Sequence, residues 1–441
     1  MRTSARLLRA AAFAAGPTLA LFAQPFVAHA APPPSQQPAP WQPLPPPRSA
    51  QPPQPDAPPP PLQAVIQRAF PSLVKLSGSI AGRRVGGGSG FLVSDAGVLV
   101  TNDHVLSALL SAGCSEVLAT FDDGRVFGVE ALASDKEADI AIARLLAPPG
   151  ARFPALAFAP SEALRRGDAV VVLGAPLGGS LVPAVGVVSG NKHVADDELM
   201  CVVAAGARQG AAALQAGTGP SSPLCPHSPH PPRRTSVLRA QTDWNLLQVD
   251  ANMGSGSSGG PILNSAGDVV GVSVLVQTTG GMGVGTLNYG VASDQVLPIL
   301  QHLLAAGHVT RGAVGLDIIT LDSHTAGKEK ASSGVDLLPP PSASAAGAPY
   351  HSGLLITNVL PGKPGEAAGL EEGDVLLEIN GTRCVRKGSF FQALGPVYVE
   401  GKVLQCTVWR PGKPGRGGQL LQRSLQPQPR AQVRSRRSAR G

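Results

Sequence analysis

Cysteine is scarce in this sequence, and its spacing gives no sign of a metal site. The five cysteines are Cys114, Cys201, Cys225, Cys384 and Cys406. None of them forms a CxxC pair, and an odd number cannot complete a disulfide framework. His227 and His230 follow Cys225, but they lie in a Pro/Ser-rich stretch that offers no rigid geometry for a ligand set. We therefore predict neither a metal nor a cofactor.

Aromatic residues make up only 4% of the chain, and none accompanies the basic residues near its end. Those basic residues are Arg430, Arg434, Arg436, Arg437 and Arg440. They contribute much of the formal net charge of +7. Single-stranded nucleic acids bind surfaces that combine such charges with aromatic rings. Without the rings, we predict a basic disordered tail over 428–441 and no nucleic-acid partner.

Acidic residues are absent before Asp56. The first nine residues instead include three arginines, and an uncharged apolar stretch then ends at Ala28-His29-Ala30. This order is typical of a cleaved targeting segment, which we place at 1–30. It favours export, and a mitochondrial presequence is the alternative. Glycine and proline interrupt the apolar part, which argues against a permanent membrane span. About half of residues 31–61 are proline, so this range is predicted to be a disordered linker.

Past residue 62, short apolar runs alternate with tight-turn sequences. The turn sequences occupy 94–97, 122–125 and 264–268. This pattern predicts the hairpins of an antiparallel β-barrel, so we assign 62–308 to a β-barrel domain, closed by a helix over 296–306. Between 191 and 238 the pattern gives way to Ala, Gly, Pro, Ser and Arg. We predict a disordered insertion there that is dispensable for folding.

A second β-rich domain is predicted over 309–427. Its strand-like sequences begin near residues 311, 354, 374 and 404. A low-complexity stretch separates the first of these from the rest, and we predict an insertion at 322–351.

Three segments contain the residue types that acyl transfer requires. His104 follows an apolar strand, Asp139 begins the sequence Asp-Ile-Ala, and Ser258 lies in Gly256-Ser257-Ser258-Gly259-Gly260. A serine is a weak nucleophile unless a histidine takes its proton, and an aspartate orients that histidine. Glycine at 256 would let the N–H groups of Gly256 and Ser258 face one oxyanion. Each segment alone could be structural: a glycine-rich turn, an ordinary histidine or a strand cap. Together, in this order, they predict the catalytic residues His104, Asp139 and Ser258.

With Gly88-Ser89-Gly90-Phe91 and Asn288-Tyr289-Gly290-Val291-Ala292, these segments resemble the HtrA family of chymotrypsin-fold serine proteases. The resemblance covers roughly 62–425 outside the two insertions. It implies a mostly β fold, with a chymotrypsin-like double antiparallel β-barrel followed by one PDZ-like domain. It also implies a homotrimer and the degradation of misfolded or unfolded proteins.

The chain departs from the family at the serine segment, where Gly254-Ser255-Gly256-Ser257-Ser258 replaces the usual Asn-Pro-Gly-Asn-Ser. The added glycine makes a resting state with a collapsed oxyanion hole more plausible. The alternative function is therefore a latent or inactive protease that acts as a chaperone or peptide-binding scaffold.

The second domain resembles an HtrA-type PDZ domain in Gly362–Leu370 and Gly373-Asp374-Val375-Leu376. The resemblance places a carboxylate-binding loop at Ala313-Val314-Gly315-Leu316. Its backbone N–H groups would bind the C-terminus of a peptide that adds to the sheet as a strand. A domain that only packs on the protease is the alternative.

The same resemblance suggests that the substrate pocket is lined by Val272, Ser273, Val274 and Leu287. Between Ser258 and Val291 the only acidic residue is Asp268, in the predicted turn 264–268. A buried lysine or arginine side chain needs a carboxylate partner. We therefore predict cleavage after small or medium apolar residues, with little discrimination among them.

Overall fold

The computed structural model of the protein describes residues 60–194, 244–254, 256–274, 288–324, 326–327, 335–340, 342, 349–413 and 416–430. The predicted targeting segment, nearly all of the proline-rich linker and most of the predicted insertion 191–238 lie outside these ranges. Within them, no helix is both long enough and apolar enough to cross a membrane. The described fold is mostly β, as the sequence predicts.

The first barrel is a closed sheet of six antiparallel strands. They are β1 (Leu73–Ile80), β2 (Arg83–Leu92), β3 (Val98–Thr101), β4 (Glu116–Thr120), β5 (Val126–Asp135) and β6 (Ile140–Leu146). Hydrogen-bonded neighbours follow the order β1-β2-β3-β6-β5-β4 and return to β1. Two predicted turns are confirmed, because Gly97 N–H donates to Ser94 O and Gly124 N–H donates to Phe121 O. Helix α1 (Leu62–Ala69) precedes this barrel, and α2 (Asp103–Ser111) follows β3.

The second barrel is also closed and has six strands. They are β7 (Ala169–Gly174), β8 (Val182–Val194), β9 (Trp244–Val249), β10 (Pro261–Leu263), β11 (Val269–Val274) and β12 (Asn288–Ala292). Their order is β10-β11-β12-β9-β8-β7. The predicted turn 264–268 joins β10 to β11, with Gly267 N–H donating to Asn264 O.

The start of the predicted insertion at 191 is wrong by four residues. The backbone of 191–194 continues β8 and pairs with β9, up to Val194 opposite Trp244. A strand can form here in spite of its polar composition because it pairs with β9. Composition alone does not reveal a partner that is distant in sequence.

Helix α3 (Ser293–Ala306) closes the protease domain, as predicted, and begins three residues earlier than the predicted 296. Its apolar stripe of Val296, Ile299, Leu300 and Leu303 is buried in a cluster that contains side chains of both barrels. The helix ends at Gly307, whose φ of 71° is a left-handed conformation that glycine adopts without steric cost. The helix therefore packs across the junction of the barrels.

Within the described residues, the second domain contains the remaining strands, two short helices and further helical residues at 323–324 and 326–327. The strands are β13 (Gly312–Ala313), β14 (Leu316–Asp322), β15 (Ser352–Val359), β16 (Val375–Ile379), β17 (Thr382–Arg383), β18 (Leu404–Arg410), β19 (Gln419–Leu425) and β20 (Gln428–Pro429). The main sheet has the order β14-β15-β16-β18-β19, so β14 is an edge strand. The helices are α4 (Pro364–Ala367) and α5 (Lys387–Leu394).

One face of this sheet packs with Phe390 and Leu394 of α5. Cys384 and Cys406 lie in the same core. Burial raises the pKa of Cys384 to about 12 and the pKa of Cys406 to about 11, so both thiols stay protonated.

The segment predicted as an insertion at 322–351 is partly built into the second domain. Leu337 and Tyr350 are buried in a cluster with Trp409 on the sheet. The indole N–H of Trp409 donates to Asp336 O at 3.0 Å, and the Tyr350 hydroxyl donates to Glu378 Oε1 at 2.9 Å. Two parts of the predicted insertion, 335–340 and 349–350, therefore pack on the sheet. Its low complexity hid a few apolar side chains that suffice to cover the sheet.

Two arginines of the second domain contact the end of β5 and the turn that follows it in the first barrel. Arg311 pairs with Asp135 through two hydrogen bonds, at 3.1 and 2.5 Å, and Arg430 pairs with Glu137 at 2.5 and 2.6 Å. The strand β20 pairs with β13, and Arg430 N–H donates to Arg311 O. The predicted disordered tail 428–441 is thus wrong for 428–430, and residues 431–441 lie outside the described ranges.

Candidate active site

His104 and Asp139 form a hydrogen-bonded pair at one end of the first barrel. His104 Nδ1 lies 2.6 Å from Asp139 Oδ2, and the backbone N–H of His104 donates to Asp139 Oδ1 at 2.8 Å. His104 follows β3 in the first turn of α2, and Asp139 immediately precedes β6, which pairs with β3. The sheet register therefore brings the two residues together across 35 positions of sequence.

The backbone of Asp139 is held in an unusual conformation. Its φ of 53° is left-handed, which aspartate and asparagine tolerate better than most residues. The Asn102 side-chain amide donates to Asp139 O at 2.8 Å and fixes this turn. This contact of Asn102 could not be predicted from the sequence, because Asn102 and Asp139 are far apart in the chain. The only sequence feature that pointed to Asn102 was its position two residues before His104.

The pKa of His104 is raised above its ordinary value of 6.5. Burial alone would lower the pKa, but the charge and hydrogen bond of Asp139, together with the charge of Asp103, outweigh it. The imidazolium form is therefore stabilised where a general base must accept a proton.

We expect kcat/KM to fall as the pH is lowered through a pKa above 6.5, because only the neutral imidazole of His104 accepts a proton. The Asp103→Asn variant removes one stabilising charge and leaves the Asp139 contact, so its acid limb should move to lower pH. Initial rates on a peptide substrate between about pH 5 and 9 measure both profiles. An acid limb below 6.5 in the unmodified protein would contradict this assignment.

Ser258 lies in the nucleophile loop (residues 254–260), which connects β9 to β10 in the second barrel. The loop passes close to the first barrel at Gly259, where a side chain would overlap Ser89 O and Thr101 Oγ1. The φ of 85° at Gly259 also favours glycine. Glycine at position 259 therefore permits the close approach of the two barrels.

The structure brings Ser258 next to the histidine segment without a hydrogen bond between the two side chains. Ser89 N–H on β2 donates to Ser258 O at 2.8 Å. Among the described residues, no hydrogen bond joins Ser258 Oγ to His104 Nε2. Such bonds are often long in proteases without substrate and shorten in the complex.

Among the described residues of the nucleophile loop, the backbone N–H groups of Gly254, Gly256 and Ser258 have no acceptor. The N–H groups of Ser257, Gly259 and Gly260 all donate to backbone oxygens. Unpaired N–H groups beside a serine can stabilise an oxyanion.

The predicted pocket residues occupy buried positions. Val272, Ser273 and Val274 are at most 1% exposed. Ser273 Oγ donates to Ser257 O at 2.5 Å and lies 3.0 Å from Gly260 O, so this side chain supports the nucleophile loop. The fourth predicted pocket residue, Leu287, lies outside the described residues.

The predicted carboxylate loop precedes the edge strand β14. The carbonyls of Val314 and Gly315 accept from Gly365 N–H and Leu360 N–H. In the described part of the chain, the N–H groups of Val314 and Gly315 donate to no acceptor. Gly315 has a φ of 73°, and a side chain there would overlap Lys363. Consecutive free N–H groups of this kind form an anion-binding concavity.

No cluster of three or more His, Cys, Asp or Glu side chains that could hold a metal ion occurs within the described ranges.

Comparison with known proteins agrees with this architecture. The family model of the trypsin-like peptidase domain matches residues 88–272, and that of the PDZ domain matches residues 329–387. The serine protease HhoA of Synechocystis sp. is 28% identical over 68% of this chain and 62% of its own length. The DegP-like periplasmic serine endoprotease of Marinomonas sp. is 26% identical over 75% of this chain and 56% of its own length. The chain thus spans less than two thirds of these relatives.

Among solved structures, the HtrA-type protease AlgW with a tripeptide has a TM-score of 0.56 and 20% identity. It covers 84% of this chain and 97% of its own. At this sequence identity, the similarity shows that the two chains share a fold.

Two closed six-stranded barrels with a histidine, an aspartate and a serine at their junction define a chymotrypsin-like serine protease domain. The chain also has a PDZ domain after it. In its order of domains the chain is similar to HtrA-type serine proteases with a PDZ domain.

Proposed function

We propose that this chain is a serine endopeptidase that degrades unfolded or misfolded proteins through His104, Asp139 and Ser258. The observation that carries the proposal is the hydrogen-bonded His104–Asp139 pair beside a serine loop in which the N–H groups of Gly256 and Ser258 are unpaired.

In this mechanism Ser258 Oγ attacks the scissile carbonyl while His104 Nε2 takes its proton. Asp139 accepts the hydrogen bond from Nδ1–H, which keeps the other ring nitrogen free as a base. The N–H groups of Gly256 and Ser258 bind the oxyanion of the tetrahedral intermediate. His104 then returns the proton to the leaving amine, and water repeats the cycle on the acyl-enzyme.

A latent protease that acts as a chaperone or scaffold is the second candidate. The missing hydrogen bond between Ser258 and His104 favours it. A fluorophosphonate probe separates the two candidates, because it phosphonylates, with loss of fluoride, only a serine that a base has activated. We expect the probe to label the full chain at Ser258. Absence of labelling, with and without added unfolded protein, would favour the latent candidate.

We expect cleavage after Val, Ala, Leu or Ile, and rejection of Lys and Arg. The described residues between Ser258 and Val291 include no acid except Asp268, which lies in the turn 264–268 between β10 and β11. A cation in the pocket would thus lack a carboxylate partner. Substrate side chains that differ by one methylene group should differ in transition-state binding energy by only ~1–3 kcal/mol. Profiling on a peptide library measures this preference, and dominant cleavage after Arg or Lys would refute it.

The PDZ domain is proposed to bind the C-termini of peptides at the loop Ala313–Leu316. The unpaired N–H groups of Val314 and Gly315 support a carboxylate site, and the edge strand β14 is available for strand addition. A peptide with a free C-terminus should bind, and the same peptide with a C-terminal amide should bind at least about tenfold more weakly. Fluorescence anisotropy with both peptides tests this, and equal affinities would favour a domain that only packs on the protease.

We further propose a homotrimer that is exported after cleavage of segment 1–30, with mitochondrial import as the alternative. The proposal of export is supported by the periplasmic serine endoproteases among the relatives. Light scattering of the purified protein and N-terminal sequencing of the mature chain test the two parts.

A further inference from the structure

The side chain of Ser89 connects the two barrels at the nucleophile loop. Ser89 lies on β2 of the first barrel and is 1% exposed. Its hydroxyl donates to Gly256 O at 2.7 Å and accepts from Ala175 N–H at 2.9 Å. Its backbone N–H donates to Ser258 O at 2.8 Å. One residue of the first barrel therefore holds two carbonyls of the loop, one on each side of Ser257.

These contacts fix the orientation of the peptide groups around the nucleophile. In a trans peptide the C=O and the following N–H point in opposite directions. Ser257 O is held by Ser273 Oγ at 2.5 Å, which directs Ser258 N–H to the other side. Ser89 holds the carbonyls before and after that peptide, so three consecutive carbonyls of the loop are bound. The hydroxyl of Ser89 thus restrains the Gly256–Ser257 peptide next to the Ser258 N–H.

The same residue also connects the loop to the histidine segment. Thr101 Oγ1 donates to Ser89 O at 2.7 Å, and Thr101 is three residues before His104. Ser258 and His104 belong to different barrels and share no hydrogen bond. The contacts from Thr101 through Ser89 to the loop therefore help set the distance between nucleophile and base. Misplacement of reacting groups by about 1 Å can cost on the order of 100-fold in rate.

We propose that Ser89 is a positioning residue whose hydroxyl keeps the nucleophile loop aligned with His104. This inference rests on the proposed protease function. Ser89 touches neither substrate nor the reacting atoms in this arrangement, and it acts through Gly256 and Ser258.

The Ser89→Ala variant tests the inference against Ser293→Ala. Ser293 is a matched control, because it is also buried and its hydroxyl also donates to a backbone carbonyl, Ala159 O, at 2.6 Å. Loss of an oxyanion-hole donor costs about 10²–10³ in kcat. Loss of the Ser89 hydroxyl, which only supports the loop that carries these donors, should therefore lower kcat by about 10- to 100-fold. KM and the acid limb of the pH profile should stay unchanged, because Ser89 contacts neither the pocket nor His104.

All rates are divided by the concentration of sites that a fluorophosphonate titrates at its end point, which removes the effect of unfolded protein. Ser293→Ala should then equal the unmodified protein. The effects of Ser89→Ala and Ser273→Ala should be less than additive in the double variant, because both hydroxyls hold one loop. If Ser89→Ala folds poorly, Ser89→Cys keeps a weak donor of similar shape and should give an intermediate kcat.

A Ser89→Ala variant with the kcat of Ser293→Ala would overturn the role of Ser89 and leave the protease function intact. A changed KM or a shifted acid limb at unchanged kcat would also overturn it. If the probe fails to label the unmodified protein, the protease function fails first, and the inference fails with it.

Discussion

Replacing Ser258 by alanine should abolish proteolysis of an unfolded substrate such as casein. Removal of the nucleophile leaves no residue for acyl transfer, and such losses in comparable enzymes reach on the order of 10⁶ in kcat. The fold should persist, since alanine fits wherever serine fits and the described contacts of Ser258 that hold the loop use its backbone. Casein cleavage and thermal unfolding measure the two effects.

The Ser293→Ala variant is again the control, because it removes a buried hydroxyl outside the site. It should retain activity, and Ser258→Ala should lose fluorophosphonate labelling as well as cleavage. If Ser258→Ala kept a tenth of the activity, Ser258 would be the wrong serine. Its neighbour Ser257 would then be the first residue to replace.

Replacing Asp139 by asparagine should lower kcat by about 10⁴ at neutral pH. The amide would donate to His104 Nδ1 and place the ring proton on Nε2, where it blocks the base. Loss of the charge should also lower the pKa of His104 and shift the acid limb to lower pH. Asparagine tolerates the left-handed backbone at this position, so the turn should survive.

The measurement is kcat/KM as a function of pH, with Asp123→Asn as the control. Asp123 is an exposed aspartate paired with Arg125, away from His104. The Asp123→Asn variant should leave both kcat/KM and its pH profile unchanged. An Asp139→Asn variant with more than about a hundredth of the normal rate would argue against the assigned role of Asp139.

The barrels were predictable because short-range signals agree with the fold. Turn residues at 94–97, 122–125 and 264–268 form the turns they predict, and the apolar stripe of α3 packs on both barrels. His104 and Asp139 could be paired from their motifs, since each follows or precedes a recognisable strand.

The supporting contacts could not be predicted because they join residues far apart in sequence. Ser89 and Gly256 are separated by 167 positions and meet only when both barrels have closed. The contact of Ser273 with the nucleophile loop could not be predicted for a related reason. The alternation of β11 directs the Ser273 side chain to that loop, and this requires the register of the closed sheet.

The covering of the PDZ sheet by residues 335–340 and 350 has a practical consequence for anyone who redesigns this chain. Trp409 is only 3% exposed because Leu337 and Tyr350 lie against it. A shortened chain without this segment would present Trp409, Val375 and Leu377 to water as one contiguous apolar patch. Patches of that kind drive self-association, so a trimmed protein would be prone to aggregate even with both catalytic barrels untouched.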